Sequence, residues 1–348
     1  MPIDPVLKNE LKKAELRYVN HERPGFTRLK RGEGFTYYDV DGNRITDEEV
    51  VARIKSLGIP PAWSDVWICP YPTGYLQAVG FDEKKRKQYI YHPDWIALAQ
   101  ENKFNKLESF GQALPHIRSR ISRDISREEL EREKIIATVI WLLEHTFIRI
   151  GNVEYAQEND SYGLTTLRSR HVTIKGKEVT FEFRGKSGVQ QSIQIVHPRI
   201  VKVIKECVEL PGYEIFKYVA ENGERYPIDS ADVNEYLKII TEKDITAKDF
   251  RTWGGTVLCA TSLHELGLYE SETQGKKNVS QSVKKVSSHL HNTPTVCRNY
   301  YIHPVVIDTY HKNLLIPHFE QVYKGFDREK AKMSKEEYAT LTLIQKYS

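Results

Sequence analysis

From Phe35 to Pro93 apolar positions recur at every second residue, the period of half-buried strands. FTYYDVDGNRI reads as a strand, an Asp41-Gly42 hairpin turn and a second short strand. VWICPYPTGYLQAVGFD and KQYIYHP continue in alternating, aromatic-rich runs. One helix interrupts them: Thr46 and Glu49 have capping-box spacing, and Val50, Val51, Ile54 and Leu57 follow at helical spacing before Pro60-Pro61. This predicts a small β-rich domain over residues 1–95.

After Trp95 the period lengthens to the helical one. In SREELEREKIIATVIWLLEHTFI, Ser126 and Glu129 have capping-box spacing, and Ile135, Val139, Leu142 and Leu143 form an apolar stripe. A β island follows in HVTIKGKEVTFEFRGKSGVQQSIQIV: three strands with turns at Gly176-Lys177 and Gly185–Gly188, the second lifting Lys186 to a hairpin tip. Helical patterns return in VHPRIVKVIKECVEL, DVNEYLKIIT, TAKDFRTWGGTVLCATSLHEL and beyond Pro304, while GKKNVSQSVKKVSSHLHNTP reads as the most loop-like stretch. The expected fold class is α+β, with a mainly helical domain over residues 96–348 carrying a three-stranded sheet.

The chain's 348 residues, 40% of them hydrophobic, suffice for two cores. No apolar run reaches the roughly 18 residues of a membrane span. The first residues, MPIDPVLKNELKKAELRYV, carry charges where a signal peptide needs an apolar centre, so a cytoplasmic protein is expected. The four cysteines, Cys69, Cys207, Cys259 and Cys297, form no C-x-x-C pair and indicate neither zinc nor disulfides. Net charge is only +4, but cations cluster at KKRK (84–87) and RSRISRDISR (118–127). In KKRKQYIYHP, Tyr89 and Tyr91 fall on one side of a strand behind four cations, a combination that suits a nucleic-acid groove.

Four places in the helical half form a chemical set: Arg149 in FIRIGN, Lys186 in FRGKSG, Arg251 in KDFRTWGG and the phenols of CRNYYIHP. Two guanidiniums can grip the non-bridging oxygens of a phosphodiester and offset the charge of a pentacoordinate transition state. A lysine can protonate the departing alkoxide, and a tyrosine held in line can be the nucleophile. Taken singly, each has an ordinary use: Arg149 could pair with Glu144 or Glu154, and Arg251 could be a buried ion-pair partner. No carboxylate cluster of a two-metal nuclease and no GxxxxGK[ST] loop is visible.

At this point the chain resembles the poxvirus-like and bacterial type IB DNA topoisomerases. The resemblance runs through PPAWSDVWICPYPTGYLQAVGFDEKKRKQYIYHP, IRIGNVEYAQENDSYGLTTLRSRHV, FRGKSG, KDFRTWGG and NTPTVCRNYYIHP, in the family's order and spacing. It implies a swivelase that forms a 3′-phosphotyrosyl link, lets the duplex rotate and reseals, with neither ATP, metal nor other cofactor. By motif, Tyr301 is the implied nucleophile, Arg149 and Arg251 the phosphate-clamping arginines and Lys186 the general acid. Asn292 stands where the viral branch has a histidine that donates to a non-bridging oxygen. Lys248, in K-x-x-R, stands where the related tyrosine recombinases carry H-x-x-R. Gln88, Tyr89 and Tyr91 match major-groove contacts, and Asn152, Tyr155 and Thr166 lie in the phosphate-binding stretch. The implied partner is duplex DNA, gripped by a monomeric C-shaped clamp on the nucleoid. A tyrosine recombinase and a non-catalytic duplex-binding protein are the rival readings.

Overall fold

The alternating pattern of the first part folds as a five-stranded antiparallel sheet in a computed structural model that describes residues 5–348. Its elements are α1 (Pro5–Lys13), β1 (Phe26–Arg31), β2 (Gly34–Tyr38), α2 (Glu48–Ser56), β3 (Ser64–Ile68), β4 (Leu76–Phe81) and β5 (Lys87–Tyr91). Strand order is β2-β1-β3-β4-β5, so β5 is an edge. Alternation, with a register shift between Leu76 and Ala78, splits the core between the two faces: Val66, Ile68 and Ala78 pack with Ile54 of α2, while Leu76 and Val79 pack with Val19 and Cys69.

Two local readings differ from the structure. β1, which the sequence pattern left out, forms the hairpin with β2, whereas the segment after Gly42 keeps only a bridge between Tyr38 and Arg44. The cap of α2 is Asp47, whose carboxylate accepts from the backbone N–H groups of Glu49 and Val50; an aspartate at this place outcompetes Thr46. The chain divides into two compact units between Lys103 and Phe104, inside α3 (Pro93–Ile125).

The second unit is built around α4 (Arg132–Thr146), buried on nearly every side from Lys134 to Leu143. It is a central helix with no single apolar stripe. Ser126 does not cap it: α3 runs on to Ile125, the Ser126 hydroxyl donates to the Ser122 carbonyl, and α4 starts after Glu131. Next come α5 (Val153–Asn159) and the sheet β6 (Val172–Lys175), β7 (Glu178–Arg184) and β8 (Gln190–Val196), paired in that order. α6 (Pro198–Glu209), the small hairpin β9 (Lys217–Val219) and β10 (Arg225–Pro227), and α7 (Ser230–Thr241) lead to α8 (Ala247–Leu266).

The stretch read as a loop is α9 (Glu272–Leu290), capped by Ser271. Its buried residues Gly275, Val279, Val283, Val286 and Leu290 repeat every three or four positions and pack one face against the core. The chain ends in α10 (Pro294–Tyr300), α11 (Pro304–His311), α12 (Leu315–Lys324), α13 (Arg328–Ala331) and α14 (Lys335–Tyr347). Among the described residues no helix is long and apolar enough to cross a membrane.

Candidate active site

Two helices end in the same way and deliver two of the candidate side chains. α4 stops at Phe147, a left-handed cap (φ 54°) whose N–H returns to the Leu143 carbonyl, and the chain turns into Arg149. α9 stops at His291, also left-handed (φ 48°) with its N–H on Ser287, and the chain turns into Asn292. Arg149 then donates from Nη2 to Asn292 Oδ1 at 2.5 Å.

Arg251, in the second turn of α8 and only 4% exposed, ties these ends together. Its Nη1 donates to the Phe147 carbonyl and its Nη2 to the Leu290 carbonyl at 2.7 Å. The cation is therefore held at the C-termini of two helices, where partial negative charge collects, and not by a carboxylate. Among the described residues no carboxylate pairs with Arg149 or Arg251. Glu144 is taken by Arg118 at 2.6 Å. Asp249 accepts from the backbone N–H and the hydroxyl of Thr246 at the start of α8. The ordinary ion-pair uses of both arginines thus fall away.

Burial lowers the pKa of both guanidiniums. For Arg251 burial, reinforced by repulsion from Arg149, brings it down to about 10, partly opposed by Tyr301. Arg251 Nε and Asn292 Nδ2 are buried donors without a hydrogen-bond partner. Two uncompensated cations and two unused donors in one place favour an anion with several acceptor oxygens.

The phenol comes from the next helix. Thr293 caps α10, Pro294 opens it, and Tyr301 closes it with its N–H on the Cys297 carbonyl. Gly255 lets α8 approach this point: a Cβ there would stand 2.6 Å from the Tyr301 carbonyl oxygen. The Thr256 hydroxyl accepts from the His303 N–H at 3.1 Å and lies 3.4 Å from the Tyr301 carbonyl, pinning the segment. The Arg251 guanidinium carbon is 5.2 Å from the Tyr301 ring centre. Burial pushes the phenol's pKa up, but the charge and hydrogen bond of Arg251, with the charges of Arg149 and Lys248, outweigh it and leave the pKa below its ordinary value. Tyr300, by contrast, is 41% exposed.

The remaining candidates lie at varied places. Lys248 is exposed in the first turn of α8, near enough to act on the phenol. Lys186 is exposed on the β7–β8 tip, between Gly185 and Ser187, and among the described residues makes no hydrogen bond or ion pair with the cluster. Asn152 caps α5 by accepting from the Tyr155 N–H at 2.7 Å, and Tyr155 is half-buried near Arg149. Thr166 is buried, and its hydroxyl both accepts from and donates to the backbone of Gly163. Leu164 and Thr165 N–H groups hold the Arg149 and Ile150 carbonyls at 2.9 and 2.7 Å, and Thr166 shapes that turn.

In the first unit Tyr89 and Tyr91 stack at 6.1 Å on one face of β5, and Tyr75 and Tyr18 extend the row. Gln88 points to the opposite face and donates to Asp82, which also pairs with Arg86. Sequence reasoning missed Phe147, Leu290 and Thr256, because two of them act through main-chain carbonyls that no residue type announces.

The same residues carry family matches. Positions 87–323 match the catalytic core of eukaryotic DNA topoisomerase I, and positions 34–82 match the N-terminal domain of bacterial DNA topoisomerase IB. The DNA topoisomerase 1B of Acanthamoeba polyphaga mimivirus is 30% identical over 320 residues, covering 88% of this chain and 93% of the viral one. That of vaccinia virus strain Copenhagen is 22% identical over 280 residues, covering 76% and 84%. A core match across more than half of the chain, together with these relatives, establishes that the chain belongs to the type IB DNA topoisomerases.

Proposed function

We propose that the protein relaxes supercoiled duplex DNA by transient cleavage of one strand through a 3′-phosphotyrosyl intermediate. The observation that carries this reading is the phenol of Tyr301 beside the buried Arg251 and half-buried Arg149 guanidiniums, which have no carboxylate partner among the described residues. Tyr301 Oη attacks the scissile phosphorus and loses its proton to solvent. Arg149, Arg251 and the Asn292 amide N–H bind the non-bridging oxygens as charge builds on the phosphorane. The bond to the 5′-oxygen breaks, and Lys186, carried in by its hairpin tip, gives that oxygen a proton. Lys248 contributes positive charge that acidifies the phenol.

The phosphodiester bond is exchanged for a phosphotyrosyl ester, so resealing is the same step reversed and ATP is not consumed. Torsion in the duplex drives rotation between the two steps. Tyr89 and Tyr91, with Lys87 beside them, offer the first unit's contact to DNA; Asn152 and Tyr155 offer contacts near the cleaved phosphate. One chain supplies every group named, which supports a monomer, acting on nucleoid DNA in the cytoplasm.

The test is relaxation of supercoiled plasmid in EDTA without ATP, with detergent trapping of the protein–DNA adduct. Tyr301→Phe should abolish relaxation and adduct together, while Tyr300→Phe keeps both. Salt-sensitive binding with unchanged plasmid topology would instead mean a duplex-binding protein.

A further inference from the structure

Phe147 touches no reacting atom in the proposed reaction, yet three constraints meet on it. Its backbone is left-handed, with φ 54° and ψ 19°, a region that an aromatic L residue seldom occupies. Its carbonyl accepts the hydrogen bond of Arg251 Nη1. Its ring fills the space that Gly254 leaves open: a Cβ on Gly254 would stand 2.1 Å from Cε1 and 2.4 Å from Cζ of that ring. Gly254 follows Arg251 by less than one helical turn, so ring and carbonyl hold the same part of α8 from two points.

We propose that Phe147 is a positioning residue that fixes Arg251 relative to Arg149, which follows it two positions along the chain. The left-handed cap is intrinsically unfavourable, and the ring lodged on Gly254 is what holds it. Without the ring, the cap relaxes toward the right-handed region and its carbonyl turns off Arg251 Nη1. The guanidinium then has one carbonyl anchor, at Leu290, and its placement beside Tyr301 loosens. Because Arg251 is the main cation that acidifies the phenol, the phenol becomes harder to ionise as the clamp on phosphate weakens.

The inference rests on the proposed cleavage reaction, and its test separates the two. Adduct formation on plasmid DNA is timed at high enzyme concentration across a pH series for the wild type and Phe147→Ala. DNA binding and melting temperature are measured alongside. A misplacement near one ångström costs about a hundredfold in rate. Phe147→Ala is therefore expected to form adduct about a hundredfold more slowly, to bind DNA with affinity within about twofold of wild type, and to have its rate midpoint moved to higher pH. If Phe147→Ala does not fold, Phe147→Leu, which keeps the apolar volume without the planar ring, is read by the same criteria. A variant that cleaves at the wild-type rate, or is slowed with an unmoved pH midpoint, overturns the positioning role. A wild type that forms no adduct overturns the reaction itself.

Discussion

The carbonyl oxygen of Tyr301 lies 2.6 Å from where a Cβ on Gly255 would stand, so the glycine's missing side chain sets how closely the nucleophile's segment approaches α8. The first glycine of the pair, Gly254, makes the matching space for Phe147. Both lie in the turn after Arg251, and the WGG word is thus a packing requirement on two sides of one guanidinium.

Gly255→Ala is accordingly expected to displace Tyr301 by several tenths of an ångström or more. Alanine is better than glycine inside a helix by about 1 kcal/mol, so melting temperature will understate the effect. The diagnostic is the single-turnover rate of adduct formation, expected to fall about a hundredfold while DNA affinity holds. Wild-type cleavage by this variant would show that the close approach is incidental.

The phenol's pKa predicts a pH dependence. Burial raises it, and Arg251, Arg149 and Lys248 lower it further than burial raises it. Cleavage should therefore climb with pH to a midpoint below the ordinary tyrosine value of about 10. Arg251→Gln leaves burial less opposed and should move the midpoint up. Lys248→Gln should move it in the same direction by less, since Lys248 is the smallest of the three influences. A midpoint that stays put in Arg251→Gln would mean that the arginine acts on the phosphate alone.

Lys186 is exposed and, among the described residues, makes no hydrogen bond or ion pair with another candidate residue, so its removal should leave the fold as it is. Lys186→Ala is expected to keep the melting temperature and DNA affinity while slowing cleavage by about 10²–10⁴-fold. Replacing the scissile 5′-bridging oxygen with sulfur gives a leaving group that needs no acid. On that substrate the variant should cleave nearly as fast as wild type; an equal defect on both substrates would deny Lys186 the acid role.

What the sequence made legible follows from which physical signals residue types carry. The β6–β7–β8 island and the Arg251 helix stand out because turn glycines and helical spacing are local. α9 was obscured because its buried stripe is made of valines, a glycine and a leucine amid serine, asparagine and lysine, residues that also populate loops. The Ser126 cap failed because α3 simply continues through the expected boundary. Thr166 carries a hydroxyl suited to phosphate, and only the fold shows that it also bonds the backbone of Gly163. The grip on Arg251 was illegible in principle, since its partners are the carbonyls of Phe147 and Leu290.

Asn292 separates stability from activity most sharply. Its Oδ1 accepts from Arg149, and its Nδ2 is a buried donor without a partner. Asn292→Asp keeps the shape and the bond to Arg149, and adds a negative charge beside an arginine that has no carboxylate partner among the described residues. Hydrogen bonds to charged groups exceed neutral ones by about 1 kcal/mol, so the unliganded protein should gain stability of that order. The arginines would depress the aspartate's pKa in the folded state. The gain should therefore be present above the unfolded value of about 3.9 and disappear as pH falls through the lower, folded one. Activity should move the other way: the variant loses a donor to the phosphorane, worth about 10²–10³-fold, and sets an anion facing the phosphate. Asn292→Asp should thus melt higher than wild type at pH 7 and cleave more slowly than Asn292→Ala. Thermal melts and adduct rates on the three proteins decide it, and an aspartate variant that cleaves faster than the alanine one would remove Asn292 from the phosphate site.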